Sequence, residues 1–226
     1  MLKFSRIRDS RSDVIWTEID QLVVAGWAGR DSAAIEHHIQ ELEAIGVHRP
    51  SSVPVYYRVG STLLCQSEHV DVLGTDTSGE VEPLLVALAD GLWIGLASDH
   101  TDRKAETIGI ALSKQLCVKP VARELWHWDD VKSHWDEVIL RAWIEEDGQQ
   151  VLYQEGNVSL LRTPTDLLSE LSNTTRFIPG SAMLCGTVPV HGGIRPSAFF
   201  AMELDDPVLG RTISHSYRVN QLPVVS

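Results

Sequence analysis

Two apolar runs separated by Asp90 and Gly91 constrain the fold of this chain more than any other feature. Residues 83–88 read Pro-Leu-Leu-Val-Ala-Leu, and residues 92–97 read Leu-Trp-Ile-Gly-Leu-Ala. Apolar runs on either side of an Asp-Gly pair are typical of a β-hairpin. We therefore predict two buried antiparallel strands here, with the start of the first strand beside the end of the second.

Three acidic residues flank this hairpin. Glu80 and Glu82 are two residues apart, so in an extended segment their side chains project from the same face, and antiparallel pairing returns Asp99 beside them. Like charges repel unless one carboxyl is protonated or a cation lies between them. Carboxylate oxygens suit one Mg²⁺ or Mn²⁺ better than zinc, and these ions keep positions for water and substrate. The alternative is a solvated strand face at Glu80 and Glu82, with Asp99 beginning a turn.

Residues 31–46 have the pattern of an amphipathic helix that a polar residue caps and a glycine ends. On this helix His38 and Glu41 are three residues apart and share a face. The carboxylate can therefore orient the imidazole as a general base. His37 with Gln40 is the competing register.

Further hairpins and few helices indicate the fold class. A second hairpin is expected around Asp147 and Gly148, and a helix is expected to begin with Thr163 as its cap and Pro164 at its first position. The pattern predicts an α+β fold that is mostly β. At 226 residues we expect one domain, with an N-terminal arm and helix in residues 1–50 and a β core in residues 51–226.

Charge and composition exclude several classes of protein. The chain has 31 acidic and 19 basic residues, a formal net charge of -12, and no basic run, so binding to nucleic acid is electrostatically opposed. Its apolar runs are shorter than the roughly 18 residues of a membrane span, and its N-terminus lacks the apolar stretch of a signal peptide. Three widely separated cysteines argue against a disulfide framework. We expect a cytoplasmic protein without a membrane or nucleic-acid partner.

The segment S-G-E-V-E-P, residues 78–83, and the segment S-D-H-T-D-R, residues 98–103, resemble the metal-binding core of the fumarylacetoacetate hydrolase superfamily. In that family an E-x-E pair and an Asp hold Mg²⁺ or Mn²⁺, and Asp99 and Arg103 match the Asp and Arg of the family's turn. The likeness extends in the family's order over roughly residues 20–210. It includes H-x-x-E at His38, Y-Q-E-G-N-V-S after the second hairpin, and the I-P-G-S and C-G-T-V segments, although Trp-Ala-Gly replaces the family's Asn-Tyr.

This resemblance implies a fold and a set of substrate contacts. The fold is a rolled mixed β-sheet, in which the helix of residues 31–46 acts as a lid over the substrate. Lys114 resembles the pocket lysine that follows the core. Arg58 stands near a position where the family keeps a lysine, so it is expected to bind the substrate carboxylate. Gly186 and Thr187 are expected to bind the carboxylate end as well.

The function implied by the resemblance is hydrolysis of a small oxo acid. One Mg²⁺ or Mn²⁺ at Glu80, Glu82 and Asp99 would act as a Lewis acid. Arg103 and Lys114 would stabilise an enolate, and His38 would deprotonate the water that attacks the distal carbonyl in an acylpyruvate-type C–C cleavage. Tautomerase, decarboxylase or hydratase activity on a 2-oxo acid is the alternative, as is a non-catalytic small-molecule binding protein. The relatives also imply a homodimer and a small carboxylate substrate.

Overall fold

The hairpin predicted around Asp90 and Gly91 is present and lies inside the larger sheet of the protein. Its strands run over Val81–Leu88 and Gly91–Ser98 and pair antiparallel. The computed structural model describes residues 1–9, 11–44, 49–173 and 175–225, and within these ranges it leaves out the side chains of His38 and residues 41–44.

Strands dominate the described residues. In chain order they are β1 (Leu2–Arg8), β2 (Arg11–Thr17), β3 (Gln21–Gly26), β4 (Val55–Val59), β5 (Leu64–Cys65), β6 (His69–Leu73), β7 (Thr77–Ser78), β8 (Val81–Leu88), β9 (Gly91–Ser98), β10 (Thr101–Asp102), β11 (Lys119–Pro120), β12 (Glu124–His127), β13 (Ile139–Glu146), β14 (Gln149–Asn157), β15 (Ser181–Leu184), β16 (Phe199–Asp206) and β17 (Arg211–Leu222). The prediction of an α+β fold that is mostly β is confirmed.

Two mixed sheets organise these strands. Within the described ranges, the larger sheet has eight strands in the order β2-β1-β12-β9-β8-β15-β3-β4, and the smaller has five in the order β14-β13-β16-β17-β6. Two short ladders, β7 with β10 and β5 with β11, lie outside both. The second predicted hairpin is present as β13 and β14. Both sheets contain parallel and antiparallel pairs, which agrees with the mixed sheet that the resemblance implied.

Strand β8 is buried on both faces, and its successive side chains pack into two different hydrophobic cores. Leu85 belongs to the core between the two sheets, together with Leu140 of β13 and Phe200 of β16. Leu84 belongs to a second core on the other face of the larger sheet, beside Trp93. Side chains alternate between faces along a strand, so Glu82 lies on the same face as Leu84 and the second core.

The described helices are α1 (Ser32–Ala44), α2 (Arg103–Glu106), α3 (Ile110–Leu116), α4 (Trp128–Val131) and α5 (Pro164–Leu171). Helix α1 confirms the start of the helix predicted from residue 31, and the Asp31 carboxylate accepts from the amide of Ala33 at 2.9 Å. The predicted end of this helix at Gly46 lies outside the described residues. Helix α5 has the predicted Thr163 cap and Pro164 at its start. Within the described ranges, every helix is too short or too polar to cross a membrane.

Candidate active site

The central hairpin brings three carboxylates together. Because β8 and β9 are antiparallel, the beginning of β8 meets the end of β9, and the amide of Asp99 donates to the carbonyl of Glu80 at 2.9 Å. One carboxylate oxygen each from Glu80, Glu82 and Asp99 lies within 4.8 Å of the other two. Glu82 is 3% exposed and Asp99 is fully buried. The predicted convergence of these residues is therefore observed.

We call Glu80, Glu82 and Asp99 the acidic triad. Two oxygens bound to one Mg²⁺ or Ca²⁺ ion are separated by at most about 4–5 Å, twice the metal–oxygen bond length. The spacing in the acidic triad falls within this range, and its all-oxygen donor set suits such hard cations. Among the residues that the structure describes, it is the one group of three or more His, Cys, Asp and Glu side chains arranged in this way. The acidic triad can therefore hold a divalent cation.

Two lysines bind the carboxylate of Asp99, one at each oxygen. The Lys114 ammonium donates to Oδ2, and the Lys119 ammonium lies 3.0 Å from Oδ1. Lys114 is on helix α3 and Lys119 is on the short strand β11. Lys119 also donates to the carbonyl of His100 at 2.6 Å. Asp99 is therefore held by one residue that the sequence predicted and by one that it did not.

The two buried acids of the triad have opposite pKa shifts. Burial disfavours ionisation of Asp99, but Lys114 and Lys119 outweigh it and hold the pKa of Asp99 below its usual range. For Glu82, burial raises the pKa well above its usual range, and the negative charge of Asp99 raises it further. Burial also opposes the charge on Lys114, but the carboxylates, Asp99 first, raise its pKa. The protein thus keeps Asp99 ionised and Lys114 charged, and it favours a proton on Glu82 when no cation is bound.

A set of hydrogen bonds fixes the backbone behind Glu82. The amide of Gly186 donates to the Glu82 carboxylate at 2.7 Å. The Thr187 hydroxyl donates to the carbonyl of Val81 at 2.8 Å and accepts from the side-chain amide of Gln154 at 2.8 Å. Gly186 and Thr187 therefore lie at the acidic triad, where their groups bond to the protein. Their expected role as substrate contacts stays a prediction.

A cleft of about 410 Å³ includes Arg103, the residue that contacts Glu80, in its lining. It is lined by the cationic side chains of Arg103, Lys104 and Arg195 and by Asp76 among other residues. Cations therefore outnumber acids in this cleft, although the chain as a whole carries a net charge of -12. Arg103 pairs with Glu106 and Arg195 pairs with Glu146, and the donors that these guanidinium groups have left suit a small anion.

Arg103 connects the cleft to the acidic triad. Its Nη2 lies 3.3 Å from a carboxylate oxygen of Glu80, and its Nε donates to the Ser78 hydroxyl at 2.7 Å. Its Nη1 donates to Glu106 at 3.0 Å, which holds the guanidinium in place. Nη2 is buried and makes no hydrogen bond of good geometry to the described residues. Arg103 thus presents a donor between the acidic triad and the cleft, and its role in stabilising an enolate stays a prediction.

Arg58 and the predicted general base are not brought into this site by the described contacts. Arg58 is exposed on the edge strand β4 and alternates in direction with Tyr57, whose ring faces Lys114 at 5.9 Å. Arg58 therefore lies on the opposite face of the sheet from the acidic triad.

His38 and Glu41 are on helix α1, but their side chains lie outside the described part of the structure. Their pairing stays a prediction.

Three residues of the site were not predicted from the sequence. They are Tyr57, Lys119 and Gln154. Lys119 carried the clearest signal, because it stands alone among the apolar residues of 116–122. A lone charge in an apolar run is buried only with a partner of opposite charge. The sequence could therefore have indicated a buried ion pair, but not the acid that completes it.

Solved structures of the fumarylacetoacetate hydrolase family share this fold. The yeast protein ynq8 of that family is 15% identical, with a TM-score of 0.64 over 92% of this chain and 95% of its own. A 2-keto-3-deoxy-D-arabinonate dehydratase complexed with magnesium and 2,5-dioxopentanoate is 14% identical, with a TM-score of 0.66 over 92% and 75% of the two chains. The 4-oxalocrotonate decarboxylase from Pseudomonas putida G7, complexed with calcium and acetate, is 13% identical, with a TM-score of 0.54 over 88% and 76%. The fold is therefore that of the fumarylacetoacetate hydrolase family, as the motifs predicted.

The sequence itself matches a family described as "Protein of unknown function (DUF2848)" over residues 25–217. The chain belongs to this family. The matched range contains the acidic triad, helix α1 and both lysines that bind Asp99, so the whole candidate site lies within it. No curated protein matches the sequence.

Proposed function

We propose that this protein is a metal-dependent enzyme that hydrolyses a C–C bond in a small oxo acid. The observation that carries the proposal is the buried acidic triad, with an ionised Asp99 held by Lys114 and with a cationic cleft that Arg103 lines. Enzymes with this fold include one solved with magnesium and a dioxo acid. The combination of a hard-cation site and a cleft with guanidinium donors for an anion suits a substrate that carries both carbonyl and carboxylate oxygens.

Glu80, Glu82 and Asp99 would hold one Mg²⁺ or Mn²⁺. When bound, the cation would supply Lewis acidity at the carbonyl and carboxylate oxygens of the substrate. The role of the protein here is to keep Asp99 ionised and in place through its lysines, and Glu82 in place through the amide of Gly186. These contacts orient the ligands before any substrate arrives.

The cationic side chains would bind and polarise the substrate. Arg103, with a donor between Glu80 and the cleft, is suited to a carboxylate or to an oxygen that gains charge during the reaction. Lys114, almost fully buried, stands on the other side of the triad and adds positive charge. Arg195 is anchored by the carbonyls of His191 and Gly193 at 2.6 and 2.9 Å, so its guanidinium is held at the cleft wall.

The reaction we propose consumes one water molecule. His38, oriented by Glu41, would take a proton from water while the hydroxyl oxygen adds to the carbonyl carbon distal to the carboxylate. The bond between that carbon and the neighbouring methylene then breaks, and its electron pair remains on the 2-oxo acid fragment as an enolate. Return of the proton to the methylene carbon of this enolate gives two products, a carboxylic acid and a 2-oxo acid. Arg103 and Lys114 would stabilise the negative charge during this step.

A second function is a lyase or isomerase acting on a 2-oxo acid, by decarboxylation, dehydration or tautomerisation. The observation in its favour is that two proteins with this fold are a dehydratase and a decarboxylase. The same positive charge around the acidic triad would stabilise an enolate in these reactions too. A binding protein without catalysis remains the third candidate from the sequence.

A substrate screen tests the proposal. The purified protein is assayed against acylpyruvates and simple 2-oxo acids with Mg²⁺ or Mn²⁺, and with a chelator as control. We expect metal-dependent release of a 2-oxo acid, and we expect Glu82→Gln to lower kcat/KM by about 100-fold or more. Glu203→Gln, the same change on the outer face of the smaller sheet, is the matched control and should retain activity. Loss of carbon dioxide or water instead of C–C hydrolysis would select the second function, and ligand-induced thermal shifts without turnover would select the third.

The general base is tested by two neighbouring substitutions. His38→Gln should lower kcat by about 100-fold or more while KM changes little, because the base acts in the chemical step. His37→Gln is the matched control on the same helix. The reverse pattern would assign the base to His37 and would contradict the proposed pairing of His38 with Glu41.

A further inference from the structure

Lys119 differs from the other cations of the site in its complete enclosure. Its side chain is 0% exposed, and its ammonium bonds to Asp99 and to the carbonyl of His100. Lys114 has Asp99 as its hydrogen-bond partner and the ring of Tyr57 at 5.9 Å, and its side chain is 8% exposed. Moving Lys119 would leave its ammonium and the carbonyl of His100 without partners inside the protein and would remove one of the two cations that bind Asp99, which is costly. Lys119 is therefore fixed at the carboxylate of Asp99.

The acidic triad already has its own positive charges. Three cationic side chains contact its carboxylates, since Lys114 and Lys119 bind Asp99 and Arg103 lies 3.3 Å from Glu80. Glu106 also pairs with Arg103, so these four acids and three cations carry a formal charge of -1 when every acid is ionised, and a divalent cation changes this to +1. A divalent cation that enters this buried site alone therefore leaves an excess of positive charge in a medium of low dielectric constant. An anion that enters with the cation removes that excess.

We propose that Lys119 is a fixed internal counter-ion of the acidic triad, which weakens the binding of a divalent cation alone and makes tight cation binding depend on an anionic ligand. The inference rests on the metal site of the proposed function. Lys119 acts through Asp99 and does not touch the substrate, so it is a positioning residue. Its effect is to make the binding of cation and anion cooperative, since each ion alone binds weakly and the two together bind tightly. By linkage, the cation strengthens anion binding by the same factor.

Calorimetric titration with Mn²⁺ tests the inference in the full-length chain. It compares the wild type, Lys119→Gln and Lys3→Gln, each with and without oxalate, with free Mn²⁺ corrected for the oxalate complex in solution. Gln can still donate a hydrogen bond to Asp99 or to the carbonyl of His100, but it carries no charge. Lys3→Gln removes one positive charge from an exposed lysine on strand β1 and is the matched control.

We expect Lys119→Gln to bind Mn²⁺ without oxalate about tenfold more tightly, or more, than the wild type, because a nearby positive charge is gone. Oxalate should then increase Mn²⁺ affinity less in Lys119→Gln than in the wild type, and Lys3→Gln should behave as the wild type. A second readout is thermal unfolding. Metal-free Lys119→Gln should melt at a lower temperature than the wild type, and Mn²⁺ should raise its Tm by more than it raises that of the wild type.

The outcomes separate this inference from the proposed function. If folded Lys119→Gln binds Mn²⁺ as the wild type does, or more weakly, Lys119 is a structural residue and the inference is overturned while the metal site stands. If no variant binds Mn²⁺, with or without oxalate, both are overturned. If Lys119→Gln fails to fold, the inference is tested on the wild-type protein with two different anions. Its Mn²⁺ affinity must rise more with the dianion oxalate than with the monoanion oxamate, after each is corrected for its own complex with Mn²⁺, and an equal rise overturns the inference.

Discussion

The acidic triad with its lysines and the ion-pair cluster on the smaller sheet use the same side-chain chemistry in opposite surroundings. In the first, Asp99 and Lys119 are 0% exposed and Lys114 is 8% exposed. In the second, which we call the surface cluster, Arg141 is 25% exposed and binds Glu155, Glu203 and Asp205, which are 46%, 28% and 26% exposed. Both groups of charges lie on hairpin strands or at their ends, so the local fold does not explain why one group is buried and the other is partly exposed.

The two groups of charges contribute to the protein in different ways. In the surface cluster, water screens the charges, and an exposed ion pair contributes roughly 0–1 kcal/mol. In the buried site, each charge has lost its hydration, so the pairs must be complete, and removing one partner costs about 3–5 kcal/mol. A protein gains little net stability from such buried pairs. Their presence around Asp99 is therefore better explained by the binding of an ionic ligand than by stability.

The largest effect on stability is expected for Asp99→Asn. This change leaves the ammonium groups of Lys114 and Lys119 without their counter-charge, so we expect metal-free protein to lose about 3–5 kcal/mol of unfolding free energy. Mn²⁺ binding should also be lost. Urea unfolding with a chelator present, followed by circular dichroism, measures the first effect. A loss below about 1 kcal/mol would place the two lysines in a solvated environment and remove the contrast with the surface cluster.

Gly186→Ala should have the next largest effect, about 1–3 kcal/mol from backbone strain alone. Gly186 has φ +96°, and a Cβ at this position would lie 2.7 Å from the Cβ of Ala28. Because the amide of Gly186 binds Glu82, we also expect weaker Mn²⁺ binding. Gly148→Ala is the matched control, since Gly148 has φ +75° in a turn where an added Cβ meets nothing within 4 Å. Gly148→Ala should lower Tm less and leave Mn²⁺ affinity unchanged.

Glu82→Gln should change the unfolding free energy of metal-free protein by no more than about 1 kcal/mol. Burial raises the pKa of Glu82 and so disfavours its charge, which Gln lacks, and the side-chain oxygen of Gln can still accept from Gly186. Mn²⁺ affinity should nevertheless fall by about 100-fold or more. Urea unfolding measures the change in unfolding free energy, and calorimetry measures the change in Mn²⁺ affinity. A destabilisation as large as that of Asp99→Asn would contradict the opposite pKa shifts of these two acids.

Arg141→Gln should have the smallest effect, no more than about 1 kcal/mol. The effect should shrink further at 1 M salt, where exposed charges are screened within a few ångströms. Urea unfolding at low and high salt measures it. The Asp99→Asn loss, measured in the same way, should depend much less on salt, and equal salt sensitivity of the two variants would refute the comparison.

Much of the fold and part of the site follow from local sequence. Asp90 and Gly91 predict the central hairpin, and the spacing of Glu80 and Glu82 predicts that they share a face. The positions of Arg103 and Lys114 came from the resemblance to a family, and the structure finds both beside the triad. Arg58 shows the limit of such reasoning, because its position along β4 was compatible with the pocket while its direction was not.

Local sequence was enough to predict the elements whose interactions join near neighbours, namely the hairpins, the capped helices and the pair of acids two residues apart. The contacts between distant segments depended instead on how the chain packs. Lys119 reaches Asp99 because β11 follows helix α3 back toward the end of β9, and Gln154 reaches Thr187 across 33 residues of chain. A residue type and its spacing fix turn geometry and strand face, whereas the partner of a buried charge depends on which segments the packed core brings together.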